Sequence, residues 1–234
     1  LAAACAGQPV TVKAVKRTEK TEKAPLLYDL TALQREANRT LGYTAQQTLD
    51  YLQALYEKKL CTYPRTDSRF LTDDLEPSVP ELVTVAAAIC ETDAPEGVNA
   101  RQVCDSRKVS DHHAILPTAS AGKADTSVLP LGEREILRLV AGQLLRAVSD
   151  AHRYAETAVT LECGGAVFTV KGRTTLVPGW KQYLAQEKQD AALPELSEGQ
   201  VLDCAEAAVK EGKTTPPRHY TEVICYERGI RNRP

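Results

Sequence analysis

Cys61-Thr62-Tyr63-Pro64-Arg65-Thr66-Asp67-Ser68 sets a phenol, a guanidinium and three short polar side chains on one short run. Proline has no backbone N–H and biases the residue before it away from helix. The apolar-periodic segment upstream is therefore expected to stop near Thr62 and to present Tyr63 at its end. A tyrosine beside an arginine suits attack on a phosphodiester. The phenol supplies the nucleophile and the guanidinium binds phosphate oxygens. An ordinary phenol is ionised to only roughly 0.1% at neutral pH, so such a nucleophile needs a base, a cation or a metal beside it. The plainer alternative is a solvated loop whose tyrosine ring packs on the domain, with Arg65 in a surface ion pair to Asp67 or Asp111.

The surroundings bound the choice. The chain has 234 residues, 43% hydrophobic and 26% charged, enough for one or two domains with a real core. A net charge of -2 gives no bulk basic field, so contacts to nucleic acid must come from local patches. The longest apolar runs, residues 1–6 and 85–90, are too short to span a bilayer, and the first has no basic region before it. The seven cysteines are odd in number and no pair is spaced C-x-x-C. That argues against a zinc site or a disulfide framework and for a reducing cytoplasm. There is no methionine, position 1 included, and the chain reads as an internal piece of something longer.

Residues 8–16 alternate in part and read as a strand, followed by a charged connector from Lys16 to Lys23. Thr31-x-x-Gln34 is a candidate capping box for a first helix that Gly42 would stop. Thr44-x-x-Gln47 is a second box, followed by Leu49, Leu52, Leu55 and Tyr56 at helical spacing. Residues 78–91 read as a helix with Pro80 in its first turn. The stretch 73–105 carries eight Asp or Glu against Arg101 alone and is a poor match for a phosphate backbone. Residues 109–118 form an irregular segment around His112 and His113. Leu131–Ser149 is the clearest helix, with Ile136, Leu137, Val140, Leu144, Leu145 and Val148 on one face. Then the period changes to two. Residues 154–163 and 167–171 read as strands joined by Gly164-Gly165, a two-residue hairpin signal, and 200–209 is a further strand. Residues 186–198 read as loop.

In this order the motifs resemble a known family. Leu30-Thr31-Ala32-Leu33-Gln34-Arg35-Glu36-Ala37-Asn38 followed by Thr62–Ser68 is similar to type IA DNA topoisomerases, nearest the bacterial topoisomerase III branch, where proline follows the tyrosine. Asp111-His112-His113-Ala114-Ile115-Leu116-Pro117-Thr118 resembles the second active-site segment of that family. Pro216-Pro217-Arg218-His219-Tyr220-Thr221-Glu222 resembles its Pro-Pro-x-x-Tyr-Thr-Glu motif. Together they cover Val10 to Glu222. After Glu222 the sequence departs from the family's pattern.

The resemblance implies an α+β fold in which a mostly helical domain is inserted into a β-rich arch domain. Residues 24–148 would be the helical, tyrosine-bearing domain, 1–23 and 149–215 the two halves of the arch, and 216–234 the truncated start of a next domain. It implies transient cleavage of single-stranded DNA through a 5′-phosphotyrosyl link, strand passage and resealing without ATP. The catalytic set would be Tyr63, Arg65 and His112. Gln34, Arg35, Asn38, Arg39, Thr66, Asp67 and Ser68 would contact DNA. Arg35, Asn38 and Arg39 share a helix face, for which a solvated surface is the plain alternative, and Tyr56, Phe70 and Trp180 read as core. The family's Mg²⁺-binding domain has no counterpart here, so no metal is expected in the chain itself and the piece alone would be inactive. Single-stranded DNA is the expected partner and a helicase a candidate one. The expected setting is a cytoplasmic monomer at the bacterial nucleoid. Two competitors stand beside this reading: a DNA-binding module of the same fold without cleavage, and a tyrosine recombinase, which would form a 3′-phosphotyrosyl link instead.

Overall fold

The structure, a computed structural model, describes residues 2–184 and 192–216. The Pro-Pro-x-x-Tyr-Thr-Glu motif from Pro217 on, the divergent end after Glu222 and the start of a next domain lie outside the described residues, as do Leu1 and part of the 186–198 loop. The chain forms two compact units. One holds residues 2–22, 151–179, 184 and 192–216; the other holds 23–150 and 180–183.

The first unit contains a short helix α1 (Ala2–Cys5) and four antiparallel strands, β1 (Pro9–Glu22), β2 (His152–Cys163), β3 (Ala166–Val177) and β4 (Val201–Asp203), in the order β3-β2-β1-β4. β1 runs through the charged segment that the sequence suggested as a connector. Opposite charges across the ladder explain it: Lys20 Nζ lies 2.8 Å from Glu156 and Arg153 Nη2 lies 3.3 Å from Glu19. Such cross-strand pairs let a polar segment stay extended. β3 likewise continues beyond Lys171 to Val177, paired along its length with β2. β4 is only three residues long, where 200–209 was expected, because Ala205, Glu206, Ala207 and Ala208 are poor strand formers. Gly164 and Gly165 have φ of 55° and 76°. Both central residues of a type I′ hairpin need that left-handed backbone, which glycine adopts without cost.

The second unit is helical: α2 (Leu30–Leu41), α3 (Ala45–Glu57), α4 (Val79–Cys90) and α5 (Leu131–Val148). The expected box at Thr31 and Gln34 does not form. Asp29 caps α2 instead, accepting from Ala32 N at 2.6 Å, and Gln34 Nε2 donates to Ala45 O at 3.0 Å. Gly42, at φ 75°, ends the helix as expected. The second box is present in both directions, with Gln47 N donating to Thr44 Oγ1 at 3.1 Å and Thr44 N donating to Gln47 Oε1 at 3.0 Å. α3 stops at Glu57 and not near Thr62. Lys59 turns left-handed at φ 60° and Leu60 N bonds back to Leu55 O at 2.8 Å, which docks Leu60 into the core. Leu33, Leu52, Leu55, Ile136, Leu137, Leu144 and Leu145 are each fully buried in one cluster. At about 1.5–3 kcal/mol per buried side chain, that cluster fixes α2, α3 and α5 and so the ground on which the Tyr63 loop stands. No helix among the described residues is long and apolar enough to cross a membrane.

Candidate active site

Residues 62–68 form neither helix nor strand, bend at Pro64, and alternate in burial from Pro64 to Ser68. Pro64, Thr66 and Ser68 are buried, while Arg65 and Asp67 are exposed and Tyr63 is half-buried. Arg65 and Asp67 are thus turned to solvent and Tyr63 partly so, while Pro64, Thr66 and Ser68 are turned into the unit.

The run is stitched to residues 108–116 by side chains and one backbone bond. Thr62 N donates to Leu116 O at 3.0 Å and Leu116 N donates to Thr62 Oγ1 at 2.9 Å. Thr66 Oγ1 donates to His112 O at 2.8 Å and accepts from Ser68 N at 3.1 Å. Ser68 Oγ donates to Lys108 O at 2.9 Å, and Asp67 Oδ1 accepts from Ser110 Oγ at 3.0 Å. Leu30 N, at the start of α2, donates to Thr66 O at 3.1 Å. The loop is a strut between two parts of the helical unit.

This stitching carries His112 to Tyr63. Their ring centroids are 4.3 Å apart with planes inclined by 37°. His113 turns away, its Nδ1 2.7 Å from Ala114 O. The two adjacent histidines thus separate, as expected, into one that meets the tyrosine and one that does not. Tyr56 meets Tyr63 edge-on, centroids 5.5 Å apart and planes at 85°. Such pairs contribute about 0.5–1.5 kcal/mol beyond area burial. Arg65 makes no ion pair among the described residues, neither to Asp67 nor to Asp111. Its Nη1 donates a long bond of 3.4 Å to the neutral Gln53 Oε1.

The other candidates spread out. Thr66 and Ser68 are buried with their hydroxyls engaged inside the protein, which gives them a part in shaping the loop and leaves little for a bound strand. Asn38 Nδ2 holds Tyr43 O at 2.9 Å, so Gln34 and Asn38 both brace the α2–α3 turn. Arg39 is exposed and forked onto Glu36 of its own helix at 2.6 and 3.0 Å. Arg35 is half-buried on α2. Tyr56, read as core from its spacing, is 40% exposed. Phe70 is half-buried with Lys108 Nζ 4.3 Å from its ring centroid. Gln53 and Tyr56 had no signal in the sequence beyond their i,i+3 spacing toward the end of α3. Among the described residues no three His, Cys, Asp or Glu side chains are grouped to hold a metal ion.

The profile of the family described as DNA topoisomerase matches residues 1–224. The chain belongs to the type IA DNA topoisomerases. DNA topoisomerase 3 of Bacillus licheniformis is 38% identical over 236 residues, 95% of this chain and 32% of that protein. DNA topoisomerase 3 of Vibrio cholerae is 37% identical over 238 residues, 97% of this chain and 36% of that protein. This topoisomerase chain therefore spans about a third of the length of the curated relatives it matches. The structure of full-length topoisomerase I from Thermotoga maritima superposes with a TM-score of 0.75 at 23% identity, covering 94% of this chain and 37% of that one. The α+β fold is that of this neighbour.

Proposed function

We propose that this chain supplies the tyrosine half of a topoisomerase active site. Tyr63 Oη attacks a phosphodiester of single-stranded DNA, forming a phosphotyrosyl bond to the 5′-side phosphate as the bond to the 3′ oxygen breaks. The phenolic proton ends on the released 3′-hydroxyl. Because the covalent bond conserves the energy of the broken one, the reverse attack reseals the strand without ATP. A second strand passes through while the gap is open. Arg65 stabilises charge on the phosphate oxygens, and His112, against the Tyr63 ring, hydrogen-bonds the phosphate or relays the proton. Mg²⁺ is held by residues outside this chain, so the 234-residue piece alone forms little adduct. The same reading gives action as a monomer at the bacterial nucleoid, with a helicase as a protein partner.

The observation that carries it is the meeting of the Tyr63 and His112 rings, with the exposed Arg65 two residues from Tyr63 and without a carboxylate partner among the described residues. The test is trapping: labelled single-stranded oligonucleotide, Mg²⁺, and the chain together with a metal-binding region. Adduct on Tyr63 that disappears in Tyr63→Phe supports the reading. Adduct indifferent to that substitution, or linked to a 3′-phosphate, overturns it. Salt-dependent binding with no adduct would mark a binding module of the same fold.

A further inference from the structure

We propose that Gln53 and Tyr56 on α3 are positioning residues that set the geometry of Arg65 and Tyr63. This rests on the function proposed above and deepens it. The two residues lie one turn apart on the same side of a helix that is capped at Thr44 and rooted by the buried Leu52 and Leu55. The helix is therefore a fixed platform, and what it holds out is held in place.

Gln53 is gripped from both ends of its amide. Its Nε2 donates to Glu57 Oε1 at 3.0 Å and its Oε1 accepts from Arg65 Nη1 at 3.4 Å. The chemistry admits only this orientation, since a carboxylate accepts and a guanidinium donates. Glu57 thus orients the amide, and the amide steers Arg65. A carboxylate in the place of Gln53 would hold the guanidinium more tightly but would compete with phosphate for it. A neutral acceptor directs Arg65 and leaves its charge for the DNA. Tyr56 does the same for the nucleophile. It is 40% exposed, so core packing does not explain it, and its ring meets Tyr63 at 85° while His112 meets that ring at 37°. Turning Tyr63 about its side-chain bonds would break both contacts.

The test uses the chain together with a metal-binding region, Mg²⁺ and a single-stranded oligonucleotide, reading adduct formation rate, half-saturating DNA and the salt dependence of binding, with folding of each variant checked beforehand by the fluorescence of Trp180 in the chain alone. Gln53→Glu is expected to weaken binding about fivefold, and to make the log–log salt slope shallower by about 0.7, the value for one lost phosphate contact on a single strand. Gln53→Ala should slow adduct formation while keeping the slope. Tyr56→Leu should slow the rate at saturating DNA about fivefold with half-saturation unchanged, and Tyr56→Phe should stay within about twofold of the native rate. A Gln53→Glu protein with native slope and rate overturns the Arg65 half. Native rate in Tyr56→Leu, or equal loss in Tyr56→Phe, overturns the Tyr63 half. If the unsubstituted chain, supplied with that region, forms no Tyr63 adduct, the proposed function fails first and this inference falls with it.

Discussion

Thr66→Val should loosen the strut under the candidate active site at almost constant volume. The Thr66 hydroxyl donates to His112 O at 2.8 Å and accepts from Ser68 N at 3.1 Å, at a residue only 8% exposed. Valine removes both bonds. Each is worth about 1 kcal/mol net, and a buried group left without a partner costs about 1–3 kcal/mol more. Ser68 is 4% exposed, so its N–H is stranded, whereas the carbonyl of the exposed His112 can turn to water. The expected loss is about 2–3 kcal/mol. The assay is urea unfolding followed by the fluorescence of Trp180, the only tryptophan, which belongs to the same unit as Thr66. Thr66→Ser keeps the hydroxyl and should recover most of the loss. A Thr66→Val protein within about 0.5 kcal/mol of native, the range of inert surface changes, or a Thr66→Ser protein as unstable as Thr66→Val, would refute the idea that this hydroxyl joins the loop to the His112 segment.

Three further outcomes are expected. In the hairpin, a Cβ on Gly164 would run into the Ala4 carbonyl, while one on Gly165 meets nothing within 4 Å. Both positions carry the left-handed strain of about 1–2 kcal/mol, so Gly164→Ala should unfold at lower urea than Gly165→Ala by far-UV circular dichroism, and equal midpoints would contradict the contact. Burial pushes the Cys61 thiol up to about 12, and because thiolate is the reactive form, iodoacetamide at pH 8 should label half-buried Cys204 well before Cys61, as peptide mass spectrometry would show. The Arg107 guanidinium bonded to Asp105 holds its carboxyl down at about 2. Its folded value lies below the unfolded one of about 3.9, so its stabilisation is complete above about pH 4 and lost as pH falls towards 2. Asp105→Asn should flatten the acid dependence in that window.

What the sequence disclosed was mostly what is settled locally. The Thr44–Gln47 box, the glycine pair of the hairpin and the apolar face of α5 each depend on residues within a turn or two of one another, and each formed as read. What it hid was settled at a distance. Asp29 and Thr31 are both competent caps. The choice between them follows the bond from Leu30 N to Thr66 O, which fixes the entry to α2 from 36 positions away. Pro64 does bias Tyr63, but it cannot say where α3 ends; the docking of Leu60 decides that. Tyr56 followed the helical period of Leu52 and Leu55, yet it lies one residue past the last buried position and faces water. Tyr63 and Arg65 were legible as a pair because they are two apart in one short run. His112 was legible only through the family resemblance, since nothing in spacing announces a contact across 49 positions.

The alternation within residues 62–68 explains why the pair and its distant partner come together. Thr66 and Ser68 are buried and, with Thr62, supply side-chain rungs to the 108–116 segment beside the one backbone bond from Thr62 N to Leu116 O. A regular strand pair would have used backbone groups, but Pro64 has no N–H to offer. Hydroxyls can bridge at intervals that a ladder cannot, so the run is held in place without joining a sheet. Arg65 is left exposed and held by an amide, Tyr63 is half-buried between two rings, and Asp67 accepts from Ser110. Because burial alternates from Pro64 to Ser68, adding or removing a single residue between Tyr63 and Thr66 would put the guanidinium out of step with the buried hydroxyls. The buried hydroxyls and the reacting groups are therefore one device: the first set fixes the register of the second.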